Sequence, residues 1–131
     1  AALAEMARAM TAGRLVGVVA APGDRRDADL IDIGRTCAAG FDELVVYDSE
    51  ARGRAKGESA RLIARGAQLA KIAPDHLQIE HDVHCAIRLG LARCVPGDVL
   101  VFGCGSSISE LTEALRPTRP DLANKIEAAA I

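Results

Sequence analysis

The run from Arg14 to Ala21 is apolar almost without interruption, carries three valines, and is cut off by Pro22-Gly23. Directly behind that turn, Asp27 to Phe41 places Leu30, Ile33, Gly34, Cys37, Ala38 and Phe41 on one helical face, with Asp29, Asp32 and Arg35 nearer the other. An uninterrupted apolar strand has no solvent face, so both of its sides must be covered, and helices that follow such strands supply the cover. The alternation recurs down the chain. Glu43 to Tyr47 and Leu77 to Glu80 are short strands and Val99 to Phe102 is fully apolar, while helical patterns occupy Glu58 to Lys71 and Asp82 to about Cys94. No hairpin dipeptide such as Asn-Gly joins two apolar runs. The order predicts a three-layer α/β/α sandwich with right-handed crossovers and a mostly parallel, Rossmann-like sheet, its strands near 14–21, 43–47, 77–80 and 98–103.

The remaining segments fit one domain spanning residues 1–131. Residues 2–12 have the composition of a helix ended by Gly13, and Leu62, Ile63, Gly66 and Leu69 form the inward stripe of the helix at 58–71. Asp82 is placed to cap the helix behind it, and Ser107 with Glu110 has the spacing of a capping box for the last main helix. Pro117 and Pro120 stop that helix, leaving 117–131 as an alanine-rich tail, helical or frayed. Half the residues are hydrophobic while only two Phe and one Tyr occur, the palette of helices on a parallel sheet. A net charge of −2 without a basic block gives no electrostatic footprint for nucleic acid. Glu5 and Arg8 interrupt the first helical pattern and no long apolar run follows, so neither a signal peptide nor a membrane span is indicated and a cytoplasmic location is expected. Cys37, Cys85, Cys94 and Cys104 lack CxxC spacing and are expected to be reduced, mostly buried thiols.

A parallel sheet gathers the loops that follow its strands at one edge, where anionic ligands meet helix N-termini. Three loops are expected there: Pro22 to Arg26, Asp48 to Gly57, and Gly103 to Ser107. The first holds Gly23, Asp24, Arg25 and Arg26, charged chemistry beyond the needs of a connection, although a solvated turn with Asp24 or Asp27 capping the helix accounts for the same residues. Neither GxGxxG nor GxxxxGK[ST] occurs, so no self-sufficient nucleotide site is signalled. His81, His84 and Cys85 do not match a common zinc spacing, and no metal site is assigned. Cys104 has no histidine beside it, and no catalytic residue is assigned.

Three blocks in this order resemble the C-terminal domain of the Mur ligase family, over about residues 1–115. They are Gly23-Asp24-Arg25-Arg26-Asp27 after the first strand, Arg52-Gly53-Arg54-Ala55-Lys56-Gly57-Glu58 after the second, and Asp82, Ala86-Ile87 and Pro96-Gly97-Asp98 around the next helix. The second block is similar to that of cyanophycin-synthetase-type members; the Asp-Asn-Pro-Arg of the peptidoglycan-type members is missing. So is their Gly-Lys-Gly-His in the last loop, which here reads Gly103-Cys104-Gly105-Ser106-Ser107. The family's Asp-Tyr-x-His-Asn-Pro block, which would precede the first helix, its P-loop and its central domain are not in this sequence, so the chain is expected to be excised from a longer ligase.

The resemblance implies an ATP-dependent reaction that joins a carboxylate to an amino acid's amine through an acyl phosphate. Gly23, Asp24, Arg25 and Arg26 would contact nucleotide, Asp24 through ribose hydroxyls and an arginine through phosphate. Arg52, Arg54 and Glu58 would bind the amino-acid substrate, although Glu58 also suits its helix dipole alone. ATP with Mg2+ is expected in the parent, with Mg2+ not bound by this domain alone. The implied partners are the parent's own N-terminal and central domains and the amino-acid and peptide substrates, with homo-oligomerisation left open. The motifs also leave open which amino acid is added and whether aspartate and arginine are polymerised. The alternative is a stand-alone α/β binding or regulatory module that senses an anionic metabolite at the same edge.

Overall fold

In the computed structural model of the chain the described residues are 8–9, 13–103 and 108–129. Four strands, β1 (Leu15–Val19), β2 (Glu43–Val46), β3 (Leu77–Ile79) and β4 (Val99–Gly103), form one sheet in the order β3-β2-β1-β4. Every pairing is parallel; Gly17 stands opposite Leu44 on one side and Val101 on the other. The helices are α1 (Asp27–Gly40), α2 (Glu58–Leu69), α3 (Val83–Arg93), α4 (Ile108–Leu115) and α5 (Pro120–Ala129). A 3-10 turn, Pro74–His76, leads into β3.

Strand alternation sorts the side chains into two cores. Leu15 and Val19 of β1, Leu44 and Val46 of β2 and Val101 of β4 meet Leu30 of α1 and Ala60, Ile63 and Ala67 of α2. On the opposite face Val18, Val45 and Tyr47 meet Ala86 and Ile87 of α3, Ala114 and Leu115 of α4, and Ala123 of α5. The Tyr47 ring stacks on Phe102 with centroids 6.0 Å apart. The chain steps outward from β1 to β3 over the face of α1 and α2, then returns to β4 over the other, as right-handed crossovers require. The predicted α/β/α sandwich with a parallel sheet is the observed one.

Several details differ from the sequence expectation. Leu69 was placed inward, yet it is 50% exposed, because α2 ends there and the chain turns away through Lys71 at φ +65°. The tail is no appendage: α5 opens with Pro120 at its first turn and buries Ala123 fully in the second core. Cys85 is exposed on α3 and Cys37 and Cys94 are half-buried, so these three thiols are less buried than expected. The helix expected at 2–12 lies outside the described residues except for 8 and 9, which are helical. Cys104 and the Ser107 half of the capping box also lie outside them.

Two features hold the frame. Gly34 of α1 and Gly66 of α2 face each other's backbones: a Cβ at Gly34 would stand 1.8 Å from the Ile63 carbonyl oxygen, and one at Gly66 1.8 Å from that of Ile31. Only glycine lets the helices cross so closely. At the amino edge of the sheet, buried Glu43 lies 3.0 Å from Arg14 and 2.9 Å from Arg93. Asp98, its side chain 3% exposed, accepts from the backbone N–H groups of Arg14 and Val95, both at 2.9 Å, and so stitches the turn before β4 to the start of β1.

Gly34→Ala should therefore destabilise the domain. The helix-propensity gain of about 1 kcal/mol is smaller than an overpacking cost of about 1–3 kcal/mol, and urea unfolding will read the net loss. Asp98 supplies a pH test. The N–H of Val95 and then that of Arg14 hold its carboxyl below the usual aspartate value. Its contribution is thus complete above about pH 3.9, the unfolded value, and fades as pH falls through the lower folded value. Asp98→Asn should lower the melting temperature at pH 7 and flatten its fall on acidification.

Candidate functional site

The carboxyl ends of β1 and β2 lie side by side, and the loops that leave them are tied together by one arginine. Arg54, its side chain 14% exposed, donates through Nε to the Gly23 carbonyl at 2.7 Å and through Nη2 to the Arg25 carbonyl at 2.6 Å. Its Nη1 reaches Asp27 Oδ1 and Glu58 Oε1, both at 2.7 Å. A guanidinium is the only side chain whose rigid fork serves two carbonyls and two carboxylates at once. Arg54 thus fixes the backbone of the β1–α1 loop to the first turns of both α1 and α2. The Gly23 N–H returns the tie by donating to the Glu50 carbonyl at 2.8 Å. At Gly23 the loops pass so closely that a Cβ would stand 2.0 Å from the Ala51 carbonyl oxygen.

Arg54 is brought into place by a tight turn from Ala51 to Arg54, closed by the Arg54 N–H on the Ala51 carbonyl at 3.0 Å. Both central residues have positive φ, Arg52 at +46° and Gly53 at +93°. Glycine takes that conformation without cost, whereas Arg52 is held there by its partners. Its guanidinium bonds Asp24 at 2.9 Å and Glu50 at 2.8 Å. The hydrogen bond from Arg52 is the main reason the Asp24 carboxyl sits below its ordinary value.

Gly23 to Arg26 and Arg52 to Glu58 are therefore one unit, as the sequence suggested, but the side chains divide their work differently. Neither Asp24 nor Asp27 caps α1: the N-cap is Arg26, without a side-chain cap, while Asp24 turns to Arg52 and Asp27 to Arg54. Arg26 is folded onto Asp29 of its own helix, 3.0 Å away. Arg25 makes no side-chain hydrogen bond or ion pair among the described residues, and it stands exposed beside the uncapped first turn of α1. Glu58 is engaged by Arg54. The third loop expected at this edge leaves β4 at Gly103, opposite Val19 of β1, and continues outside the described residues.

A cavity of about 410 Å³ opens between the loops that follow β2 and β3, lined by Asp48, Ser49, Lys56, Ser59, Glu80 and His81 among others. Asp48 organises it. One carboxylate oxygen accepts from the Ala60 N–H at 3.2 Å, supplying the cap that α2 lacks at Gly57, and the other lies 2.8 Å from His81 Nδ1. Asp82 caps α3, as expected, by accepting from the Cys85 N–H at 2.9 Å. Among the described residues no group of three or more His, Cys, Asp or Glu is arranged to hold a metal ion. The Asp48–His81 pair was not singled out from sequence, because it depends on the register: Val46 pairs with Ile79 in the parallel ladder, which brings the residues two positions beyond each, Asp48 and His81, together above the sheet.

The Mur ligase glutamate ligase domain family matches residues 1–106. The cyanophycin synthetase of Crocosphaera subtropica is 41% identical over 91 residues, 69% of this chain and 10% of that protein. That of Synechocystis sp. is 51% identical over 55 residues, 41% of this chain and 6% of that protein. The matched stretch is thus a tenth or less of either relative. Among solved structures, a UDP-N-acetylmuramoyl-L-alanyl-D-glutamate--2,6-diaminopimelate ligase superposes with a TM-score of 0.67 at 15% identity, covering 88% of this chain and 27% of that one, a likeness of fold. No helix among the described residues is long and apolar enough to cross a membrane.

Removing the clamp should loosen the edge without dismantling the sheet. In Arg54→Ala, and equally in Arg54→Lys because an ammonium cannot fork, the Gly23 amide is expected to exchange with deuterium markedly faster, while amides of β1 keep their protection.

Proposed function

Because the chain belongs to the Mur ligase family through its glutamate ligase domain, we propose that it is the C-terminal domain of an ATP-dependent amide ligase resembling cyanophycin synthetase. In that enzyme it would contact the nucleotide and the incoming amino acid, close on a central domain that holds ATP, and work in the cytoplasm. One observation carries the proposal. Arg54 fixes the Gly23–Arg26 backbone at the edge of the sheet and leaves Arg25 unpaired there, beside the open N-terminus of α1.

This donor set suits an anionic nucleotide. Phosphate oxygens call for a guanidinium and backbone N–H groups, and Arg25 and the first turn of α1 offer them. Asp24, presented by Arg52, can accept from ribose hydroxyls. Arg26 is already spent on Asp29, so Arg25 is the phosphate contact of the two. Mg2+ falls to the parent's other domains, since Asp24, Asp27, Glu58 and Asp48 each face an arginine or a backbone N–H. When bound, ATP supplies the phosphoryl group that activates the acceptor carboxylate as an acyl phosphate. The substrate contacts of the second loop are Arg52 and Glu58, which would take the amino acid in exchange for their present partners Glu50 and Arg54, while Arg54 still holds the two carbonyls of the first loop.

The test belongs in the full-length parent. A charged hydrogen bond to phosphate is worth about 1.5–3 kcal/mol, so Arg25→Ala should raise the Michaelis constant for ATP roughly tenfold or more, whereas Arg26→Ala should leave it near the wild-type value. Asp24→Ala should lower turnover on the order of a hundredfold. Its melting temperature should hardly move, because an exposed ion pair such as Asp24–Arg52 adds little stability. Equal Michaelis constants in both arginine variants, with unchanged turnover in Asp24→Ala, would remove the nucleotide from this edge.

A further inference from the structure

The Asp48–His81 pair has the geometry of a built proton acceptor. An ionised carboxylate only accepts, so the 2.8 Å contact to Asp48 is made by an N–H on Nδ1 of the imidazole. In the neutral ring the lone pair then lies on Nε2. That atom has no partner among the described residues, and both side chains line the 410 Å³ cavity. The orientation is fixed from two sides. Asp48 is held through its other oxygen by the Ala60 N–H, and its own N–H donates to the His81 carbonyl at 3.2 Å. Across Gly57 stands α2: a Cβ there would lie 3.1 Å from His81 Cε1 and 2.7 Å from Arg61 Nη1. The charged groups around the ring are thus Asp48 and Lys56 from the β2–α2 loop, Arg61 from α2, and Glu80 and Asp82 from its own loop.

We propose that His81, positioned by Asp48, takes the proton from the incoming amine in the ligation step. This rests on the ligase function proposed above. An amino acid arrives as an ammonium ion, which has no lone pair to attack with. One proton passes from that nitrogen to His81 Nε2, and the freed pair forms the C–N bond at the acyl phosphate carbon. The C–O bond to phosphate then breaks, and phosphate leaves with its electron pair. A second N–H proton passes to the departing phosphate, the third stays in the amide, and the imidazolium returns its proton to water.

Hydroxylamine isolates this step, because it is neutral at neutral pH and attacks an acyl phosphate without a base. The full-length parent would be assayed with ATP and, as the carboxylate, whichever of a panel of aspartyl and glutamyl peptides gives the fastest ADP release. Its acceptor would be either hydroxylamine or whichever of the twenty amino acids gives the fastest ADP release. His81→Gln should lower kcat with the amino acid by roughly 10²–10⁴-fold while hydroxamate still forms. Asp48→Asn should show the same split. Its amide oxygen stays on the Ala60 N–H, its NH2 then faces Nδ1, and the ring is driven to the tautomer with the proton on Nε2. A rise in KM for the amino acid at constant kcat would make His81 a binding group and overturn the proposal. Parallel loss of amide and hydroxamate, or full activity in both assays, would overturn it as well. A wild-type parent that forms neither product removes the ligase function itself, an outcome distinct from any result confined to the variants.

Discussion

The position of β1 between two parallel neighbours is the constraint from which the rest of this domain follows. Hydrogen-bonded to β2 on one side and β4 on the other, β1 has no free edge, and its residues are buried on both faces. Helices must therefore lie above and below it, and each parallel crossover must carry the chain back across the sheet. Both demands deliver the loops after β1, β2 and β3 to a single edge. The direction of travel reverses beside β1, since β2 and β3 are added on one side and β4 on the other. Open α/β sheets take their ligands at the carboxyl ends of the strands beside such a reversal, and the 410 Å³ cavity opens at that same edge, between the loops that follow β2 and β3.

Holding the loops at that edge is a separate problem from bringing them there, and two side chains divide it. Arg54 joins the β1–α1 loop to the β2–α2 loop through the carbonyls of Gly23 and Arg25, and Asp48 joins the β2–α2 loop to the β3–α3 loop through His81. Each also serves a helix start, Arg54 by pairing with Asp27 and Glu58, and Asp48 by accepting from Ala60. The charged groups at the two helix starts are thereby partnered to loops, which turns flexible connections into a preorganised surface. Ion pairs whose carboxylates stand as open to solvent as Asp27 and Glu58 contribute little to folding, so this arrangement is better understood as fixing geometry than as adding stability.

The frame was legible in the sequence because its cause is local. An unbroken valine-rich run such as Leu15 to Val19 can only be a doubly covered strand, and the apolar stripe at Leu30, Ile33 and Gly34 can only be a covering helix. The proximity of Gly23–Arg26 to Arg52–Glu58 was legible for the same reason, since both segments follow neighbouring strands. The division of labour among the arginines was not. Arg25 and Arg26 are indistinguishable as letters, and only the rotation of α1 places Asp29 within reach of one of them. The alternative reading, a cap at Asp24 or Asp27, does not hold, because two arginines from another loop outcompete the backbone for those carboxylates. The packing of α5 also lay beyond local pattern. Ala123 becomes a core residue only because the second face of the sheet has room for a third helix.

The two edges of the sheet treat charge in opposite ways, and the contrast separates structure from function. At the amino edge, Glu43 and Asp98 are buried, and each is matched by arginines or backbone N–H groups. These charges are closed off from solvent by their partners; removing one partner would leave an uncompensated buried charge. At the carboxyl edge the pairing is deliberately incomplete among the described residues. Arg25, Lys56 and the Nε2 of His81 remain without side-chain partners, each beside groups that fix the surrounding backbone or ring. Unpaired polar groups on a rigid support are costly only if desolvated without a ligand, and they are what a ligand requires once water is excluded. The same chain thus closes its charges at one end of β1 and holds them open at the other.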